Sequence, residues 1–111
     1  MSDVKQRIQQ LVDSHPIVLF MKGTKSFPQC GFSAATIEVF EELGRPFGSV
    51  DVLSQPAKRE AIKRYSNWPT IPQVYVDGKF VGGCDIVREM FQSGELQDLL
   101  KAKGIQVTQA A

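Results

Sequence analysis

Ile17-Val18-Leu19-Phe20-Met21 is an unbroken apolar run with no polar residue at alternate positions. A strand open to water on one face alternates, whereas a strand buried on both faces does not, and β-branched residues in so short a run favour strand over helix. Such a strand has to be covered from two sides, which confines the chain to a layered α/β fold. Covering material precedes it: Val4, Ile8, Leu11 and Val12 recur at helical spacing, with Asp3 as the expected N-cap, Gln6 three residues on and His15-Pro16 as the stop.

After the run, Lys22-Gly23-Thr24-Lys25-Ser26-Phe27-Pro28-Gln29 is a loop by its turn residues and delivers the chain to Cys30-Gly31-Phe32-Ser33. Ala35, Thr36, Val39, Phe40 and Leu43 then mark one face of a helix that Gly44-Arg45-Pro46 ends. Cys30 therefore lies at a helix N-terminus. Free backbone N–H groups and the positive end of the helix dipole favour its thiolate, the form that attacks electrophiles or binds metal. In a Cys-x-x-Cys redox motif the fourth position carries the resolving thiol; here it carries Ser33.

Phe47 to Val52 reads as a second strand, joined to the first by a helical crossover and hence parallel to it. Pro56 opens a helical segment, Ala57 to Tyr65, whose Lys58, Arg59, Lys63 and Arg64 face a single acid, Glu60. Ser66-Asn67-Trp68-Pro69-Thr70-Ile71-Pro72 breaks it. Gln73 to Val76 and Lys79 to Gly82 flank Asp77-Gly78, a two-residue hairpin signal. Gly82-Gly83 leads into a helix carrying Ile86, Val87, Met90 and Phe91, Gly94 closes it, and Leu96, Leu99 and Leu100 mark a last short helix. Residues 106–111 read as a frayed tail. The order α-β-α-β-α-β-β-α-α gives a four-stranded mixed sheet flanked by helices with an extra N-terminal helix, the thioredoxin-like arrangement.

Composition narrows the chemistry. With 111 residues and 42% hydrophobic content, residues 1–111 fit a single domain. A net charge of +1 argues against a general nucleic-acid binder. No apolar run approaches the ~18 residues of a membrane span, and the N-terminus lacks the apolar core of a signal peptide, so a soluble, cytoplasmic protein is expected. Two cysteines and one histidine are too few for a structural zinc site within one chain.

Met21-Lys22-Gly23, Pro28-Gln29-Cys30-Gly31-Phe32-Ser33, Trp68-Pro69-Thr70-Ile71-Pro72 and Gly82-Gly83-Cys84-Asp85, in this order and spacing, resemble the monothiol glutaredoxins of the Cys-Gly-Phe-Ser type. The resemblance implies a glutaredoxin fold and a glutathione site assembled from several loops. Lys22 and Arg59 would meet the glycine carboxylate, and Ile71 would pair through its backbone with the cysteinyl part. Pro72 would be cis beside Cys30, with Gly31, Phe32 and Ser33 shaping the site. Cys84 and Asp85 would hold the γ-glutamyl end, backbone N–H groups taking its carboxylate and Asp85 its ammonium.

For function the resemblance implies an iron–sulfur carrier. Cys30 from each of two chains and one glutathione on each supply the four thiolates of a bridging [2Fe-2S] cluster, which makes a homodimer that delivers to apo iron–sulfur proteins. Family members also pair with BolA-like proteins. The alternative is a reductase of protein–glutathione mixed disulfides by a one-thiol route through Cys30. Taken residue by residue, other readings stay open. Cys30 could be a packed structural thiol, and Lys22 and Arg59 solvated charges. Lys58 to Arg64 reads as a solvated helix face apart from Arg59, and Trp68 as a core anchor capped by Pro69. Asp85 could be a plain N-cap, and Cys84, favoured here for a backbone role, could pair transiently with Cys30 on oxidation.

Overall fold

The computed structural model describes residues 2–44 and 46–105, with side chains from residue 5 onward. In chain order the elements are α1 (Ser2–Asp13), β1 (Ile17–Met21), α2 (Gly31–Glu42), β2 (Gly48–Asp51), α3 (Pro56–Ser66), β3 (Gln73–Val76), β4 (Lys79–Gly82), α4 (Cys84–Ser93) and α5 (Glu95–Ala102). The strands form one four-stranded sheet in the order β2-β1-β3-β4. β1 runs parallel to β2 and antiparallel to β3, and β3 and β4 form an antiparallel hairpin. This is the mixed, thioredoxin-like sheet that the element order calls for.

No residue of β1 is more than 1% exposed. Ile17, Leu19 and Met21 face a core built from Phe40 and Leu43 at α2, Val87 of α4 and Leu96 and Leu100 of α5. Val18 and Phe20 point the other way, onto Ile8 and Val12 of α1, Ile62 of α3 and the buried ring of Tyr75. Burying a side chain of this size contributes about 1.5–3 kcal/mol, so both layers are anchored on the same five residues. Asp77 and Gly78 take positive φ (51° and 78°), the conformation of a tight hairpin turn.

Boundaries shift where tertiary contacts decide them. β2 is shorter than Phe47–Val52, but both end residues are buried, and the Val52 N–H bonds the Met21 carbonyl at 2.9 Å just past the strand. α1 begins at Ser2, so Asp3 falls inside its first turn instead of capping it. The Asp3 side chain and the tail at 106–111 lie outside the described residues.

What positions the site is the path from Met21 to Cys30. The Gln29 N–H returns to the Lys22 carbonyl (2.9 Å) and the Thr24 N–H bonds the Phe27 carbonyl (3.2 Å), closing a tight excursion. Asp51, at the end of β2, accepts the Gly23 N–H at 3.0 Å and the Leu53 N–H at 2.9 Å on one carboxylate oxygen. Lys25 donates to the Phe47 carbonyl and lies over the Phe47 ring, 4.2 Å from its centre. Gly23 has φ +92°, and a Cβ there would sit 2.5 Å from the Phe27 oxygen and 2.6 Å from the Gln29 nitrogen. Gly23→Ala should therefore lower stability by about 2 kcal/mol or more in denaturant unfolding and disorder the approach to Cys30. Unchanged stability would show that the loop relaxes freely.

Candidate functional site

Cys30 is the N-cap of α2, with an extended backbone (φ −148°, ψ 135°) and no side-chain cap of its own. Its sulfur is partly buried and faces the first amides of the helix. The Ser33 N–H is the main cause that holds the thiol below its ordinary pKa, helped by the Phe32 N–H, the Lys22 charge and the Ser33 hydroxyl, against desolvation. Ser33 is fully buried, and its Oγ also accepts the Lys22 N–H at 3.1 Å. The residue in the fourth position thus ties the end of β1 to the first turn of α2.

Cys30 opens onto a cavity of about 450 Å³. Lys22 enters its lining one residue past β1, Phe32 from the first turn of α2 and Arg59 from α3. Ile71 and Pro72 contribute the facing wall, joined by a cis peptide bond. Ile71 precedes the β1–β3 ladder, whose register reaches Phe20 opposite Gln73. Cys84 and Asp85 form the far end as the first two residues of α4. Every residue expected to bind a ligand therefore lines one cavity, while Gly31 lies exposed beside it and Ser33 lies beneath.

At the start of α4 one alternative left open by the sequence falls away. The N-cap of α4 is Gly83, so Asp85 is an acidic residue in the first turn and not the cap. Cys84 is only 6% exposed and is a free thiol, as is Cys30; with its side chain packed, its backbone N–H is what it presents at the helix start.

Sequence reasoning missed four residues here. Trp68 is not a core anchor: its ring packs on Phe80 (centroids 5.6 Å apart) but lines the cavity, and its indole N–H is buried without a partner among the described residues. Lys63 lines the cavity too, one helical turn after Arg59; the i, i+4 spacing was the available signal. Gln73, fully buried, donates to the carbonyls of Trp68 (3.1 Å) and Thr70 (3.2 Å), and Asp51 holds Gly23 from 28 residues away; neither role has a local signature. Arg59 Nε is a second buried donor without a partner among the described residues.

A lone activated thiol at a helix N-terminus, facing a cis-proline wall on this sheet, defines a thioredoxin-like protein of the one-thiol kind. Comparison with known proteins agrees. The glutaredoxin family model matches residues 17–81. A monothiol glutaredoxin of Synechocystis, itself uncharacterized, is 54% identical over 99 residues, covering 89% of this chain and 92% of its own. The solution structure of a monomeric truncated mutant of Trypanosoma brucei 1-C-Grx1 superposes with a TM-score of 0.87 at 42% identity, covering 96% of each chain. A crystal structure of a buckwheat glutaredoxin–glutathione complex gives 0.82 at 30% identity, covering 95% of this chain and 94% of that one. The chain belongs to the glutaredoxin family, on its monothiol branch.

A depressed thiol pKa has a kinetic signature. Alkylation of Cys30 by iodoacetamide should stay fast down to a pH below the titration of an ordinary thiol and fall only as pH drops through the lowered value. Ser33→Ala removes the hydroxyl but keeps the dominant backbone N–H, so the midpoint should move up only part of the way. A profile centred at the ordinary thiol value in the parent protein would contradict this electrostatic account.

Proposed function

We propose that the cavity binds glutathione and that two copies of the chain share a [2Fe-2S] cluster for storage and delivery to apo iron–sulfur proteins in the cytoplasm. The observation that carries this reading is a single activated thiolate at the mouth of a peptide-sized cavity, with Ser33 where a resolving thiol would stand. Arg59 Nε and Trp68 Nε1 leave buried donors there for a ligand rich in acceptor oxygens. The buckwheat relative, crystallised with glutathione, supports the choice of tripeptide.

The donor set fits one share of a cluster. Among the described residues no group of three or more His, Cys, Asp and Glu side chains gathers, and of the two thiols lining the cavity Cys84 is packed at 6% exposure, so Cys30 is the thiol assigned to the cluster. A [2Fe-2S] centre generally takes four thiolates; two Cys30 and two glutathione sulfurs supply them, and the bound cluster supplies sulfide-bridged iron for transfer. Gly31 adds no side chain at the mouth and stands in open space, which lets a second chain approach Cys30. A BolA-like protein would replace one half of such a pair.

The lowered thiol pKa also favours a second reading, a one-thiol reductase. The Cys30 thiolate attacks the glutathione sulfur of a mixed disulfide and expels the protein thiolate. A second glutathione thiolate then attacks that same glutathione sulfur, releasing glutathione disulfide and restoring Cys30. Both readings need the same binding site. Lys22→Ala and Arg59→Ala should each weaken glutathione by about tenfold in calorimetry, as loss of a charged donor to a carboxylate does. Unaltered affinity would remove the assigned site. Cys30→Ser should abolish the visible absorption of a reconstituted cluster, whereas Ser33→Cys should raise two-thiol reductase activity and shorten the cluster's lifetime. A cluster that survives Cys30→Ser would reject the ligand assignment.

A further inference from the structure

Trp68 is held through its backbone and by one ring contact. Its backbone N–H is taken by Ser66 Oγ (3.1 Å) and the Lys63 carbonyl (3.2 Å), its carbonyl by the buried amide of Gln73 (3.1 Å), and its ring by Phe80. The group left without a partner among the described residues is the indole N–H, buried in the cavity lining. An unmet buried donor is costly, on the order of 1–3 kcal/mol, so a donor fixed this firmly and left open is best explained by an acceptor that arrives with the ligand.

Its location identifies that acceptor. A Cβ built on Gly83 would lie 3.4 Å from Trp68 Nε1, which places the indole nitrogen beside the N-cap of α4. α4 runs ten residues and its N-terminus has no side-chain cap, so the backbone N–H groups of Cys84 and Asp85 face the same place. We propose that Trp68 is a binding residue, its indole N–H donating to the ligand carboxylate seated at the start of α4 together with the N–H groups of Cys84 and Asp85. The inference rests on the glutathione reading and adds to it a side-chain donor specific for the γ-glutamyl carboxylate.

The test uses S-methylglutathione and S-methyl-cysteinylglycine, which lacks the γ-glutamyl group; neither exchanges disulfides. Trp68→Phe keeps a ring against Phe80 and deletes the N–H. Calorimetry should show about a tenfold loss for S-methylglutathione and no change for S-methyl-cysteinylglycine, with unfolding temperature as the fold control. Trp68 is the single tryptophan, so the parent protein gives one indole N–H resonance in a ¹H–¹⁵N spectrum. That resonance should move downfield on saturation with S-methylglutathione and stay in place with the truncated ligand, a readout that survives even if Trp68→Phe fails to fold. Equal affinity in the variant, an equal loss for both ligands, or an unmoved indole resonance at saturation would overturn the assignment while leaving glutathione binding intact. A parent protein that binds neither ligand would overturn the glutathione reading, and this inference with it.

Discussion

β1 has no face to show to water, and the site follows from that constraint. Ile17, Leu19 and Met21 are spent on one helical layer and Val18 and Phe20 on the other, which fixes β1 inside the sheet between β2 and β3. Chemistry then collects where the strand runs out. Past Met21 the chain turns through Lys22, at the end of β2 Asp51 reaches across to hold that turn, and Ile71-Pro72 enters just before β3 pairs. Carboxyl ends of parallel strands are where open α/β sheets leave a crevice, and the β1–β2 pair ends beside this one.

The thiol's environment is built by the same economy of contacts. Ser33 contributes its backbone N–H and, to a smaller degree, its hydroxyl to the field that lowers the Cys30 thiol pKa, and its oxygen accepts the Lys22 N–H, so one buried residue favours the thiolate and ties the start of α2 to the end of β1. A cysteine at this position would offer a second sulfur and a weaker acceptor. Replacing it with serine removes a route to an internal disulfide and leaves the thiolate available for an external partner, which is what both functional readings require.

The parts of this arrangement legible in the sequence are those with local causes. The apolar run of β1, the Asp77-Gly78 turn and the placement of Cys30 at a helix start each follow from a few neighbouring residues, and the α/β order follows from them. Lys22, Arg59, Ile71, Cys84 and Asp85 were reached by resemblance, and the fold brings all five to one cavity. What stayed hidden depends on residues far apart in the chain. Trp68-Pro69 has the look of a core anchor, and its turn toward the cavity is set by Phe80 from the hairpin and Gln73 from the sheet edge of that loop. Asp51 reads as a strand-end acid until Gly23 meets it from 28 residues away. The alternative of Asp85 as a plain cap falls because Gly83 holds that position, beside the Trp68 indole.

The most direct test of the central claim is anaerobic reconstitution with iron and sulfide, with and without glutathione, followed by visible absorption and solution mass. The account predicts a coloured dimer that forms only when glutathione is present, with one Cys30 and one glutathione per chain on the shared cluster. A colourless monomer under both conditions, or a cluster that forms equally well without glutathione, would contradict it.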